Sequence, residues 1–279
     1  LIGLKKILMV NNYKKIKVCH CFSSDMTARF ILLDRLKFLL SKGYDVYVTC
    51  SDGKWIKDIE QEGIKVKTIG FKRKAFSPIS DTVSFIKLFF YFKQERFDIV
   101  HTHTLKPEFF GQIAAKMAGV PIIMNTIHGL DFKEEDNFIK KQLIVILQRI
   151  SASCSDIIFV IAKHLIDRLI EKKIGKKSKI VYLGRDIDTG RFDLDRFDSQ
   201  FIQKKKSEIG IKEDYKIIGI VARLVKEKGY LELFKAFEQV VKKFPKTVLL
   251  IVGLSEPEKK DFINIDEILD SSIGKNIVY

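Results

Sequence analysis

The sequence predicts an α/β protein built from two parallel-sheet domains, the second of them incomplete. Three observations point there. Strand-length apolar runs alternate with helix-period segments from Lys5 to Leu183, the pattern of a doubly wound sheet rather than a bundle or sandwich. A βαβ unit, KIIGIVARLVKEKGYLELFKAFEQVVKKFPKTVLLIVG, occupies Lys216–Gly253. The chain has 279 residues, 46% of them hydrophobic, enough for two cores rather than one.

The first expected strand is Lys5–Val10, followed by a connection, Asn11–Ser24, that lacks the glycine cluster of a dinucleotide fingerprint, which disfavours NAD. Asp25–Ser41 is a Leu- and Phe-dense helix stopped at Lys42-Gly43, and Tyr44–Cys50 is the next strand. Trp55–Glu62 is a short helix ended by Gly63, and Ile64–Ile69 returns as a strand. Phe71–Phe92 starts with Lys72, Arg73 and Lys74, passes Phe76 and Pro78, and becomes a helix whose apolar stripe is wider than half-burial needs. Lys87 interrupts it, and it is too short to span a bilayer. Two readings remain open for it: attachment to an anionic leaflet, or cover by the sheet and its neighbours. Phe97–His101 is a strand, Pro107–Met117 a helix ending at Gly119, and Pro121–Asn125 a strand leading into Thr126-Ile127-His128-Gly129. Glu134–Ser153 is a long helix, Asp156–Ile161 a strand, Lys163–Lys173 a helix and Ser178–Leu183 the last strand of this half.

The composition changes at Gly184–Asp214, rich in Asp, Arg, Lys and Gln, with a short helix near Phe201–Ile209. The expected organisation is a first domain over 1–190, a connection over 191–213 and the start of a second domain over 214–279. In that second domain, Ile217, Ile218, Ile220 and Val221 read as a buried strand and Val248–Val252 as another. Leu233, Phe237, Val240, Val241 and Phe244 recur at helical spacing between them, and Pro245 ends the helix. Asp266–Ser271 and a strand at Asn276–Tyr279 follow, and the sheet is expected to be cut short there.

Lys plus Arg total 50 against 35 Asp plus Glu, a formal charge of +15. Nucleic acid, an anionic membrane surface and phosphorylated small substrates all suit that charge. No nucleic-acid module accompanies it, so nucleic acid is not an expected partner. Cys19, Cys21, Cys50 and Cys154 are too few and too irregular for a disulfide framework and include no CxxC pair, which argues for a reducing, cytoplasmic setting and against structural zinc. Leu1–Leu4 lacks the flank and cleavage pattern of a signal peptide.

Arg223, Lys226 and Lys228 sit in the loop leaving the carboxyl end of the Ile217 strand, where open α/β sheets bind ligands. Fixed cations beside a helix N-terminus suit a diphosphate; the plain alternative is a solvated basic turn. Glu227 braces such a loop rather than acting as an acid. His128, before Gly129, can bond a sugar hydroxyl or a phosphate. His101 and His103 alternate along a strand end and face one side. Hydrogen bonding there is preferred to a metal, since no third ligand is evident and no metal is expected. Ser23, Ser24 and Thr27 either contact a ligand or cap the following helix. Asp131, Glu134, Glu135 and Asp136 suit the start of a helix, where its dipole favours them.

Across essentially its whole length the chain resembles retaining glycosyltransferases of the GT-B type, specifically family 4, in the bacterial subset that builds capsule, lipopolysaccharide or lipid-linked oligosaccharides. The residues that carry the resemblance are His101-Thr102-His103-Thr104, Ala118–Pro121, Thr126-Ile127-His128-Gly129 and Val221–Gly229, VARLVKEKG. The resemblance implies a complete N-terminal Rossmann-like domain followed by an incomplete second one. It implies that Arg223 and Lys228 neutralise the donor diphosphate, that His128 lies over the donor sugar, and that Ser23 and Ser24 replace a glycine-rich loop near donor and acceptor. It implies no tightly bound cofactor, a nucleotide-diphosphate-sugar donor, and a glycan or polyprenyl-diphosphate-linked acceptor at the inner face of the plasma membrane. Tyr182–Asp188, YLGRDID, departs from the family's Asn-Gly turn, and the paired glutamates that hold ribose and sugar are absent. The alternatives are a nucleotide-sugar epimerase of similar fold and a non-catalytic remnant that docks on a membrane or partner.

Overall fold

The computed structural model describes residues 15–71, 77–129, 137–184, 187, 189–257, 259 and 261–279. The chain forms two compact units, Leu1–Asp186 and Ile187–Tyr279, each with its own parallel sheet.

The first sheet holds β1 (Lys17–Cys21), β2 (Asp45–Cys50), β3 (Lys65–Thr68), β4 (Ile99–His103), β5 (Ile122–Ile127), β6 (Ile157–Val160) and β7 (Ile180–Tyr182) in the order β3-β2-β1-β4-β5-β6-β7. The strand expected at Lys5–Val10 lies outside the described residues. β1 lies instead inside the stretch expected to be a connection. Its KVCHC sequence carries Lys17 and His20 in a short apolar run, so local pattern undersells it. A central place between β2 and β4 buries every residue after Lys17, and burial on both sheet faces outweighs propensity. The strand order reverses between β1 and β4, the switch point at which ligands enter such sheets.

The helices are α1 (Asp25–Thr27), α2 (Leu33–Ser41), α3 (Ile56–Gln61), α4 (Pro78–Glu95), α5 (Gln112–Ala118), α6 (Phe138–Cys154) and α7 (His164–Glu171). The helical segments after β1 and β4 each contain a wide, π-helical turn, at Ala28–Leu32 and Pro107–Gly111. Such turns gather at functional ends of folds. α4 begins on Pro78, whose missing N–H costs nothing at a first helical turn, and stops at Arg96 in the left-handed region. It buries Leu88 and Phe92 against Cys19, Cys21, Val100, Ala114 and Ala115, yet leaves Ile79, Val83, Ile86 and Phe90 exposed. The wide stripe therefore divides into a core face and an open row. Lys72, Arg73 and Lys74, and the acidic group Asp131 to Asp136, fall outside the described residues. Among those residues no helix is long and apolar enough to cross a membrane.

The second unit holds α8 (Ser199–Glu208), β8 (Lys216–Val221), α9 (Tyr230–Lys243), β9 (Thr247–Val252), α10 (Ile265–Leu269) and β10 (Ile277–Val278), with sheet order β10-β9-β8. α9 packs Tyr230, Phe234 and Phe237 on Leu249 and Ile251. Two expectations fail here. β8 is an edge strand, and Ile217, Ile218 and Val221 are exposed rather than buried, because the core of this unit gathers on Leu249 and Ile251 of β9 and takes in only Ile220 of β8, as a partly buried member. Phe244 lies beyond the end of α9 and is exposed.

Candidate functional site

The carboxyl ends of β1, β4 and β5 converge at the switch point. His128 follows β5 and is exposed, with its ring 5.9 Å from that of His103. Among the described residues, a Cβ on the adjoining Gly129 would meet nothing within 4 Å. At the end of β4, Thr104 has a φ of 68°, a conformation that a β-branched side chain enters only under strain. Its hydroxyl donates to Ser23 Oγ at 3.0 Å, which ties the end of β4 to the end of β1. Ser23 also anchors the Ser51 hydroxyl, which donates to its carbonyl at 2.7 Å. Ser24 caps α1, its hydroxyl accepting from the Met26 N–H at 3.2 Å. Of the two roles open to these serines, Ser24 takes the cap and Ser23 is the one turned toward the strand ends.

Next to these serines, the buried carboxylate of Asp25 accepts from the N–H groups of Met26 at 2.8 Å and Trp55 at 2.9 Å. Gly53 lies so close that an added Cβ would sit 2.1 Å from Asp25 Oδ2. Asp25 thus locks the loop after β2 onto the start of α1 and shapes a 370 Å³ hollow lined by Ser23, Ser24 and Trp55.

His103 lies within β4 together with His101, because the strand runs to His103 instead of stopping at His101. Both are buried. The sequence shows no third ligand, but the fold supplies one: His20 on β1 stands in register with His101. The three imidazoles offer ligand atoms within 4.8 Å of one another, which is the geometry that can hold a metal ion. Their present bonds are to protein. His20 Nδ1 and His103 Nε2 are 3.1 Å apart, and His101 Nε2 is 2.7 Å from Thr126 Oγ1. Burial first, then the positive Arg35 nearby, pushes the His20 pKa down to about 3. Burial and the neighbouring imidazoles hold His101 and His103 well below the ordinary value. All three are therefore neutral, each able to donate from one ring nitrogen and accept at the other.

In the second unit, Arg223 leaves the end of β8 and donates through Nη1 to Glu256 at 2.7 Å and through Nη2 to Glu227 at 3.2 Å. Lys228 Nζ is 3.7 Å from the same Glu227 oxygen. Glu227 braces the loop, as expected, and brings the two cations onto one carboxylate. Gly229, at φ 77°, turns this loop into α9. Gly253, which follows β9, admits a close approach: an added Cβ would lie 1.8 Å from the Ala222 carbonyl oxygen. In the YLGRDID segment, Arg185, Asp186 and Asp188 lie outside the described residues.

Three residues of these sites escape sequence reading, and Thr104 enters it only as the end of a motif, its strain showing only in its φ. His20 hides in a stretch without strand character. Asp25 looks like an ordinary helix-start acid, and Glu256 is 33 positions from Arg223 in a loop.

A family model described as glycosyl transferase 4-like matches residues 6–161, over half of the chain. A second, glycosyl transferases group 1, matches residues 201–273. The capsular polysaccharide biosynthesis glycosyltransferase CapM of Staphylococcus aureus is 31% identical over 238 residues, covering 85% of this chain and 60% of that protein. The UDP-Gal:alpha-D-GlcNAc-diphosphoundecaprenol alpha-1,3-galactosyltransferase of Escherichia coli is 25% identical over 255 residues, covering 89% and 64%. The chain thus spans less than two thirds of the length of these two curated relatives. Among solved structures, a glycosyltransferase from Rickettsia africae matches with a TM-score of 0.65 at 20% identity, covering 86% of this chain and 61% of that one. UDP-GlcNAc 2-epimerase from Neisseria meningitidis matches with a TM-score of 0.63 at 16% identity, covering 94% and 71%. Both share the two-domain fold.

Proposed function

Because the chain belongs to the glycosyl transferase 4-like family, we propose that it serves sugar transfer from a nucleotide-diphosphate-sugar to a glycan or lipid-linked acceptor, with retained anomeric configuration. The observation that carries this reading is the paired cation site at the end of β8. Arg223 and Lys228 share Glu227 immediately before α9. As the bond to the donor sugar breaks, negative charge builds on the leaving diphosphate. A guanidinium fork, an ammonium and a helix N-terminus held ready for it lower the barrier electrostatically.

In this reading residues 1–190 form the acceptor-side domain, 191–213 the connection and 214–279 the start of the donor domain. His128 lies over the donor sugar, and Ser23 and Ser24, with Thr104, contact donor or acceptor. His101 and His103 support that end of the sheet from below. The reaction takes place at the cytoplasmic face of the plasma membrane. The charge of +15 and the open apolar row of α4 support a peripheral seat there.

Calorimetric titration with UDP and GDP tests the clamp. Replacing both Arg223 and Lys228 by Ala weakens the binding nucleotide by about 10–100-fold, the range expected for lost charged hydrogen bonds. Unchanged affinity rejects the site.

An epimerase is the second reading, favoured only by the fold it shares with such enzymes. The sequence relatives support transfer. Product analysis separates the two: transfer gives a lengthened acceptor only when lipid-linked sugar is present, whereas epimerisation gives an isomeric nucleotide sugar without it.

A further inference from the structure

Trp55 is the one tryptophan of the chain, and the fold sets it in the wall of the 370 Å³ hollow beside the ends of β1 and β2. Its backbone is fixed there, since its N–H donates to the buried Asp25 carboxylate at 2.9 Å. Its indole N–H is screened from water and meets no acceptor among the described residues. A buried Trp N–H usually has a partner, and one left without carries its full desolvation cost. The groups packed on the indole are surface side chains: Lys54 lies 4.8 Å over the ring and Phe30 meets it edge-on at 4.8 Å. Both are exposed, so turning them aside opens the indole without moving the backbone.

The rest of the wall limits what the hollow accepts. Met26 and Phe71 add apolar surface, and Ser23 and Asp52 add polar groups. Ser23 Oγ accepts from Thr104 at 3.0 Å, which leaves its own proton to donate. Asp52 uses one oxygen on the Gly53 N–H at 3.0 Å and is exposed, an acceptor with capacity to spare. Two donors and a carboxylate around an aromatic surface match a pyranose, which has an apolar C–H face and a rim of hydroxyls. An anion fits poorly, because Asp25 and Asp52 line the hollow against a single lysine, Lys54. A hydrocarbon chain fits poorly too, because the polar groups would lose water and gain no bonds. The volume is at the small end of the roughly 300–1,000 Å³ of small-molecule sites, room for one ring.

We infer that this hollow takes one pyranose ring of the acceptor, packed against Trp55 and Phe71, with its hydroxyls bonded to the indole N–H, Ser23 and Asp52. Trp55 is then a residue that selects the acceptor sugar. The role of that ring as acceptor rests on the sugar-transfer reading above; the sugar chemistry of the hollow does not. The Thr104–Ser23 bond joins the hollow to the end of β4, so a ring seated there lies beside the switch point.

Trp55 is its own reporter. The 279-residue chain is titrated with the methyl α-glycosides of glucose, galactose and N-acetylglucosamine, read by tryptophan emission and by saturation-transfer NMR on the sugar. At least one glycoside shifts the emission saturably, and inorganic phosphate leaves it unchanged. Trp55→Phe keeps an aromatic ring and loses the N–H. It weakens the affinity measured by NMR about 3–10-fold, the scale of one hydrogen bond, and narrows the preference among the three sugars. Phe38→Ala, which removes an exposed aromatic of α2 outside the hollow, leaves the affinity unchanged. Thermal unfolding confirms that both variants fold, and the wild-type emission decides even where Trp55→Phe does not.

Emission that no glycoside moves, in protein that still binds UDP, overturns the hollow and leaves the donor clamp standing. Undiminished affinity in Trp55→Phe removes Trp55 from recognition. Equal losses in Trp55→Phe and Phe38→Ala reduce the effect to general aromatic adhesion and reject the subsite. Glycoside binding in a chain that does not bind UDP keeps the subsite and sinks the clamp.

Discussion

Arg223 meets two carboxylates, and they do different things. Glu227 is shared with Lys228 and sets the spacing of the cations, whereas Glu256 contacts Arg223 and Lys259. An incoming diphosphate must exchange with Glu256 for the guanidinium. Glu256→Gln therefore tightens UDP binding by about 2–5-fold, the scale of one partly exposed ion pair. Glu227→Gln weakens it, because the brace is lost. A Glu256→Gln variant with poorer UDP affinity in calorimetry would show that Glu256 shapes the loop rather than competing in it. The candidate residues Arg223, Lys228 and His128 are readable from the chain because each follows a strand-length apolar run. Glu256 and His20 are not, since their partners are distant in sequence and no local pattern marks them.

β1 and β4 carry the histidine cluster, and their pairing makes it a stability element. His20, His101 and His103 are neutral when folded, while in the unfolded chain each regains its ordinary value of about 6.5. Between that value and the folded one the unfolded chain binds more protons, so stability rises with pH and is lost as pH falls. For His20 the window runs from about pH 6.5 down to about 3. Each buried imidazole contributes a slope of up to about 1.4 kcal/mol per pH unit in its window. Urea midpoints at pH 7 and pH 5 measure this: the protein weakens toward pH 5, and His20→Asn reduces the slope. A slope unchanged by His20→Asn contradicts the neutral, buried assignment. α4 shows the same dependence on neighbours. Its stripe is visible in the sequence, but its division into a buried Leu88 face and an exposed Phe90 row depends on α5 covering one side.

Each hydrophobic core draws on one unit. Leu88, Val48 and Val160 sit in clusters of the first, and Tyr230, Phe237 and Leu249 in that of the second. Thermal unfolding is accordingly expected in two transitions. Gly253→Ala, whose Cβ would strike the Ala222 carbonyl, lowers only the transition of the second unit, by about 2–4 kcal/mol. Gly219→Ala, which meets nothing within 4 Å in β8, raises that same transition by roughly 0.5–1 kcal/mol. Calorimetry on the two variants checks the signs. A single transition moved by both would show that the units unfold together.

Alternating apolar runs and helix-period segments were enough to establish the α/β class and the two-sheet plan, because burial of one face leaves its period in the chain. They also marked the basic loop after β8, since strand ends are where a parallel sheet exposes its backbone dipoles and loops. Three outcomes depended on folding. β1 took a place that its own residues do not advertise, β8 became an exposed edge, and His20 came beside His101 and His103. Each turns on which strand lies next to which, and strand neighbours in a parallel sheet are joined through crossovers too long for local pattern to encode.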